Sequence, residues 1–313
     1  MVQLADVALA HYRLSRYLSP TPLEQANLPA EAVWLKLENA NPTHSFKLRG
    51  ALNALLALGE KARNRGIIAC SSGNHAQGLA WAAQLLNCSA QLIMPKHTPQ
   101  RKVDGVRRYG GEVVLYGETY DEAEEEARRR EQHEGRTFVS PYNDAAVIAG
   151  AGTIGLELLE ALPTLDRVIV PVSGGGLISG IALTVKALRP QIEVIGVCAQ
   201  SAPAMYNLFY DSAHPQVPET LAEALSGDIE AKSITTDLAQ RFVDQIVLVS
   251  ESEIAQAMRW AVFEQGWVVE GGGATGIAAL HSGLVEDGGQ TAIVVSGGNV
   301  DADTLRGVLN ATP

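Results

Sequence analysis

Cysteine is scarce in this chain: Cys70, Cys88 and Cys198 are the three among 313 residues, odd in number and without Cys-x-x-Cys spacing. That excludes a disulfide framework and points to a reducing, cytoplasmic setting. Basic charge is short as well, with 24 Lys and Arg against 35 Asp and Glu and a net charge of -11. Such a chain has no positive field to draw in nucleic acid or an acidic membrane surface. No apolar run reaches the roughly 18 residues that a membrane span needs. The start, Met1-Val2-Gln3-Leu4-Ala5-Asp6, lacks a basic stretch ahead of an apolar one, so no secretory leader is expected. His11, His97, His133, His214 and His281 show no metal-ligand spacing, and no metal is expected. What is abundant is apolar residue, 46% of the chain, together with 30 glycines, which is too apolar for disorder. The length exceeds one typical core, so two domains or one large α/β domain are expected.

Short β-branched runs alternate with alanine- and leucine-rich stretches. Gly66 to Cys70, Ala90 to Met94, Glu112 to Tyr116, Arg167 to Val172, Ile192 to Val197 and Ala292 to Val295 read as strands. Helices are expected over Ala76 to Leu86 and Leu177 to Leu188. Continuous apolar strands with helices between them imply a mostly parallel sheet covered on both faces. The charged segment Tyr120 to Glu134 pairs Glu124, Glu125 and Glu126 with Arg128, Arg129 and Arg130 four residues on, as a solvated helix does. Tyr210 to Gly227, with Pro215 and Pro218, reads as a long surface connection.

Three glycine clusters follow strands: Ser71-Ser72-Gly73-Asn74-His75, Ser173-Gly174-Gly175-Gly176-Leu177, and Ser296-Gly297-Gly298-Asn299. Ligands of parallel α/β sheets bind beyond the carboxyl ends of strands, where these clusters lie. The second suits a phosphate, because consecutive glycines free backbone N–H groups at the positive end of a helix. No Walker lysine follows it, and Ser179 stands where a dinucleotide fingerprint needs glycine, so a nucleotide is disfavoured. The first cluster suits a carboxylate, with an N-cap turn as the plainer reading. Lys47 lies between Phe46 and Leu48, a setting that desolvates an amine and makes it nucleophilic, although an isolated lysine at a helix start is commonly solvated.

Taken in order, Ser-Phe-Lys-Leu-Arg-Gly-Ala at 45–51, the cluster at Ser71, the glycine triplet at 174–176 and Ser-Gly-Gly-Asn at 296–299 resemble the fold-type II pyridoxal-phosphate enzymes, in the branch of threonine dehydratases and serine racemases. The resemblance runs from about Thr21 to Asp301. It implies a two-domain α/β fold of parallel sheets, like the tryptophan synthase β chain, with pyridoxal 5'-phosphate as cofactor. A large domain of residues 1–50 plus 146–313 and a small mobile one of 51–145 would face each other across the cofactor, and a homodimer is implied.

Residue by residue, the resemblance makes Lys47 the attachment point of the cofactor and the base that takes the substrate's α-proton, with Phe46 beside it. Asn74 would bond the ring hydroxyl, and Ser173, Gly174, Gly175, Gly176 and Leu177 would cradle the phosphate. Glu270 would lie near the ring and Ser296 would face its nitrogen. Ser71, Ser72, Gly73, Asn74 and His75 would hold the substrate carboxylate, Ser72 acting as acid or base opposite Lys47. The implied reaction is α,β-elimination from a β-hydroxy amino acid, threonine or serine first, giving a 2-oxo acid and ammonia.

The chain departs from the family in places. Cys198 and Ala204 replace the metal-binding acids of the racemases, so that cation site is expected to be absent. Thr220-Leu221-Ala222-Glu223-Ala224 lacks the usual Asp-Gly pair, Ala151 stands in Ala149-Gly150-Ala151-Gly152-Thr153 where glutamine is common, and glycines follow Glu270. These rim changes resemble the dehydratases of hydroxyectoine breakdown and leave hydroxyaspartate or hydroxyectoine-derived substrates, and serine racemisation, as alternatives. The chain ends at Pro313, so the regulatory domain of biosynthetic threonine dehydratases is not expected. An inert binding protein on the same fold is the non-enzyme alternative; the retention of Lys47, Asn74 and Ser296 speaks against it.

Overall fold

The computed structural model describes residues 2–28, 32–286 and 288–311. Ten strands are present among them: β1 (Leu23–Gln25), β2 (Val33–Leu37), β3 (Ile67–Cys70), β4 (Ala90–Met94), β5 (Glu112–Leu115), β6 (Thr137–Phe138), β7 (Leu165–Pro171), β8 (Glu193–Ala199), β9 (Gln245–Val249) and β10 (Gln290–Val295). They form a six-stranded sheet in the order β1-β2-β10-β7-β8-β9 and a four-stranded sheet in the order β5-β4-β3-β6. Every pairing is parallel except β1 with β2. The α/β class and parallel sheets read from the sequence are therefore what the chain adopts.

Period-two patterning explains why both faces of each sheet are covered. In β10, Ile293 and Val295 enter the core on one face while Ala292 and Val294 enter the core on the other. In β3, Ile67 and Ala69 face one cluster and Ile68 and Cys70 the opposite one. The reading of the sequence omitted four strands. β1 and β6 span 3 and 2 residues, too short to show a period. β2 carries Lys36 one residue before its end, which breaks an apolar run, yet that lysine is buried. β9 is Gln-Ile-Val-Leu-Val, an apolar run that was legible.

Helix limits follow their caps. The charged helix Tyr120–Glu134 begins where the Thr119 hydroxyl accepts from the Glu122 N–H and stops at Gly135 in the left-handed region, φ 65°. Its pairs differ from the i,i+4 expectation at one place: Arg129 bonds Glu126, three residues earlier, at 2.7 Å, and Glu126 also takes Arg130 at 2.6 Å. Glu126 is the buried acid of the three, so both guanidiniums converge on it. The connection after Tyr210 is exposed for most of its length, but Glu223–Leu225 forms a 3-10 turn with Ala222 and Leu225 buried.

The helices Ala145–Ala161 and Gly176–Leu188 pack backbone to backbone because glycines stand at the contact. A methyl group on Gly180 would meet the Ile148 carbonyl oxygen, and it would lie 2.6 Å from the Gly152 nitrogen. Both are main-chain atoms that no rotamer change can move aside. Gly180→Ala is expected to destabilise the fold by about 2 kcal/mol, overpacking outweighing a helix-propensity gain of about 1 kcal/mol. A urea midpoint equal to or above that of the wild type would refute this.

Candidate active site

A cavity of about 910 Å³ opens between the carboxyl ends of the strands of both sheets, and three loops that follow strands line it. After β3 come Ser71, Ser72, Gly73, Asn74 and His75; after β7, Ser173, Gly174, Gly175, Gly176 and Leu177; after β10, Ser296 and Asn299. Phe46, Lys47 and Glu270 line the same space. Every site residue picked from the sequence thus borders one cavity. Asn74 and His75 lie within the helix Asn74–Leu85, which starts two residues earlier than the sequence suggested.

Two arrays of unpaired backbone donors face this space. The N–H groups of Ser173 to Leu177 meet no acceptor among the described residues. They run from the loop through the N-cap Gly175 into the first two residues of the helix Gly176–Leu188, and Gly174 to Leu177 are buried. Buried donors without partners are costly, and an anion at a helix start satisfies several at once. Side chains are kept out of the loop: a Cβ on Gly174 would lie 2.5 Å from the Tyr142 ring, and Gly175 sits at φ +86° against Met205 and Thr235. The Thr235 hydroxyl holds the loop by donating to the Gly174 carbonyl at 2.7 Å. The second array is the Ser72, Asn74 and His75 N–H groups at the start of the next helix, likewise without acceptors among the described residues.

Lys47 opens the helix Lys47–Ala57, whose buried Leu48, Ala51, Leu52 and Leu55 fix the face that turns away from the cavity. Its amine donates to the Pro141 carbonyl at 2.8 Å and lies 5.1 Å from the centre of the Phe46 ring. Burial lowers its pKa from the usual lysine value to about 8, against the opposing pull of Glu270. A far larger share is therefore neutral near physiological pH than for a solvated lysine, which favours a nucleophile. Glu270, held by the Asn74 amide at 2.8 Å and the Asn299 N–H at 3.1 Å, is pushed by burial to about 7.

His75 behaves differently from a surface histidine. Burial, with Lys47 adding repulsion, lowers its pKa to about 3, so the ring is neutral. Its Nε2 is 3.0 Å from the Val139 carbonyl, which can only accept, and its Nδ1 is buried without a partner. The side chain is thus committed to Val139, and the His75 backbone N–H belongs to the donor array. The Ser72 and Ser296 hydroxyls make no hydrogen bond to the described residues.

Two features escaped the reading of the sequence. Tyr142, packed on the glycine loop, carries no motif signal; its hydroxyl accepts from the Glu230 N–H at 2.9 Å. Arg49, two residues after Lys47, is 2% exposed and forks onto Glu38 at 2.7 and 2.9 Å and onto Glu157 at 2.5 and 2.9 Å. Lys36 completes the group at 2.6 Å from Glu157. An arginine in an otherwise apolar helix start was the available signal, since a buried charge needs partners.

At the position of the racemases' metal acids, Cys198 lies buried in β8 with its thiol pushed up to about 12 by burial, a packing residue. Among the described residues no three His, Cys, Asp or Glu side chains cluster as a metal site, and no helix is long and apolar enough to cross a membrane.

Known proteins are similar to this chain in sequence and fold. L-threonine ammonia-lyase of Thermotoga maritima is 40% identical over 316 residues, covering 99% of this chain and 79% of that protein. Maize serine racemase superposes with a TM-score of 0.90 at 31% identity, over 98% of this chain and 96% of its own. The processed form of threonine deaminase isoform 2 from Solanum lycopersicum gives 0.89 at 34% identity, over 97% and 86%. The family model described as pyridoxal-phosphate dependent enzyme matches residues 14–297, the stretch that holds Lys47, both donor arrays and Ser296. With a half-buried amine and a row of unpaired backbone donors in one cavity, and that match over most of its length, the chain belongs to the pyridoxal-phosphate dependent enzymes.

Proposed function

We propose that this chain is a threonine/serine ammonia-lyase, eliminating the β-hydroxyl of L-threonine or L-serine to leave a 2-oxo acid and ammonia. The observation that carries the reading is the Lys47 amine, its pKa lowered by burial, in one cavity with two separate sets of unpaired backbone donors. Those sets match two anions, the cofactor phosphate and a substrate carboxylate, and the residues present fit the cofactor. Pyridoxal phosphate, when bound, supplies an electron sink that acidifies the hydrogen on a substrate's α-carbon.

The chain's own residues do the rest. The amides of Ser173 to Leu177 bind the phosphate, and the helix end behind them adds its dipole. Lys47 would be the residue that holds the cofactor covalently, and its amine would serve as the base for the α-proton. Asn74 donates to the ring oxygen. Ser296 offers the ring nitrogen a hydroxyl, a partner too weak to hold a full positive charge there. The Ser71 to His75 turn would bind the carboxylate through the main-chain N–H groups of Ser72, Asn74 and His75, and the unpaired Ser72 hydroxyl can pass a proton. Closure of residues 51–145 onto residues 1–50 plus 146–313 would exclude water; the four-stranded sheet falling inside the first segment supports that division. The free Cys70, Cys88 and Cys198 fit a cytoplasmic enzyme, and we infer a homodimer from the family, which light scattering would test.

The direct test is 2-oxo acid release from L-threonine, L-serine, D-serine and L-threo-3-hydroxyaspartate with added cofactor. Turnover of L-threonine at more than tenfold the efficiency on hydroxyaspartate is the expected result. Preference for hydroxyaspartate would move the assignment to the altered rim around Glu223 and Ala224. D-serine formed from L-serine, without oxo acid, would make the chain a racemase.

A further inference from the structure

Asn299 closes the third glycine motif, and the reading so far gives its side chain no task. Its position is unusual. The Asn299 Nδ2 donates both hydrogens, to the Thr43 carbonyl at 2.9 Å and to the Asn74 Oδ1 at 2.8 Å. Its main-chain N–H donates to the Glu270 Oε2 at 3.1 Å, and the Asn74 Nδ2 returns to the Glu270 Oε1 at 2.8 Å. Four segments meet there: the approach to the Lys47 helix, the start of the Asn74–Leu85 helix, the N-cap of the Gly271–His281 helix and the loop after β10.

We infer that Asn299 is a positioning residue that fixes the polarity of the Asn74 amide, so that Asn74 presents an N–H and not a carbonyl oxygen to the cofactor ring; this rests on the proposed occupancy of the cavity by pyridoxal phosphate. The Thr43 carbonyl sets the direction of the network. A main-chain carbonyl accepts and never donates, so the Asn299 amide has one orientation. Its nitrogen therefore faces Asn74, which must answer with oxygen, and the Asn74 nitrogen is left for Glu270 and the cavity.

Glu270 cannot do this alone. An ionised carboxylate demands an N–H from Asn74, but a protonated one can donate and accept either amide orientation. Glu270 titrates near neutrality, pushed up to about 7 by burial. The charged groups around it are Lys47 in the cavity and the Lys102–Glu223 ion pair, whose members act on it in opposite senses. Below its pKa, only Asn299 keeps Asn74 in the donating orientation. Above it, Asn299 and Glu270 are redundant.

The test uses binding instead of turnover. Apo-protein, wild type and Asn299→Ala, is titrated with pyridoxal phosphate by absorbance at pH 6 and pH 8.5, and the ratio of the two dissociation constants is taken at each pH. The melting point of each apo-protein is recorded. At pH 8.5 the variant should bind within a few-fold of wild type. At pH 6 it should bind about tenfold to hundredfold more weakly than wild type, the equivalent of one lost charge-assisted hydrogen bond. Asn299→Asp, which has the same shape but only acceptors, should be weaker at both pH values; if it does not fold, the alanine variant carries the test. A loss of equal size at both pH values, or none, overturns the inference and leaves the proposed function standing. Wild-type protein that binds no pyridoxal phosphate at either pH overturns the proposed function and the inference with it.

Discussion

Lys47→Ala protein, saturated with pyridoxal phosphate, is expected to lack the visible absorption of the wild-type enzyme and to release 2-oxo acid more slowly by ~10³-fold or more. The size follows from position. Lys47 supplies the cavity's amine of lowered pKa, and in the proposed reaction its replacement removes both the covalent attachment and the base at the α-carbon. The fold should survive. The amine makes a single hydrogen bond, to the Pro141 carbonyl, while the helix is held by Leu48, Ala51, Leu52 and Leu55 on its other face. Alanine also favours a helix slightly more than lysine does. The measurement is an absorption spectrum with a steady-state rate, alongside a melting curve equal to wild type. A variant that stays coloured and active would remove Lys47 from the chemistry.

The second large effect concerns stability. Arg49→Met should destabilise the fold by about 3–5 kcal/mol, because it strands two buried carboxylates. Glu38 is 0% exposed and Glu157 8% exposed, and with Arg49 gone Lys36 is the one cation left beside them, while Thr21 and Asn41 still donate to Glu38. The wild-type balance is visible in Glu38. Burial raises its pKa, yet Arg49, with Lys36 and the Thr21 hydroxyl, reverses this and leaves it below the ordinary carboxylate value. A folded pKa below the unfolded one means stabilisation above about pH 4.5 that is lost as the pH falls through the folded value.

In Arg49→Met the burial effect is no longer opposed by Arg49, and the Glu38 pKa moves above its unfolded value. The penalty is then full at neutral pH and shrinks as acidification protonates the carboxyl. The stability gap between wild type and variant should therefore narrow from pH 7 to pH 4.5. Chemical denaturation at both values measures it; a gap that is constant or widens would show that the ion network is not the cause. Arg49 lies two residues from Lys47, so the same cluster anchors the helix that aims the amine.

How far the sequence alone reached depends on the length scale of the cause. Alternating apolar strands and alanine-rich helices set the α/β class, because side-chain periodicity is a local property. The three glycine loops after strands were legible for the same reason. Burial at consecutive glycines and a helix start are encoded within a few residues, and so was the anion cradle at Ser173 to Leu177. The ordered motifs around Lys47, Asn74, the glycine triplet and Ser296 then carried the family.

Other features are set by residues far apart in the chain. Nothing near Arg49 announces Glu38 and Glu157, which reach it from the 3-10 turn that follows β2 and from a helix 108 positions later. The polarity of Asn74 depends on Thr43, Glu270 and Asn299, brought together only when both sheets and their loops are assembled. The pKa of Lys47 and the commitment of His75 to the Val139 carbonyl also belong to this class. Short-range pattern determined the fold, the cradle and the choice of lysine. Desolvation and hydrogen-bond direction, which exist only once distant segments share a low-dielectric interior, determined which protons those groups hold and where they point.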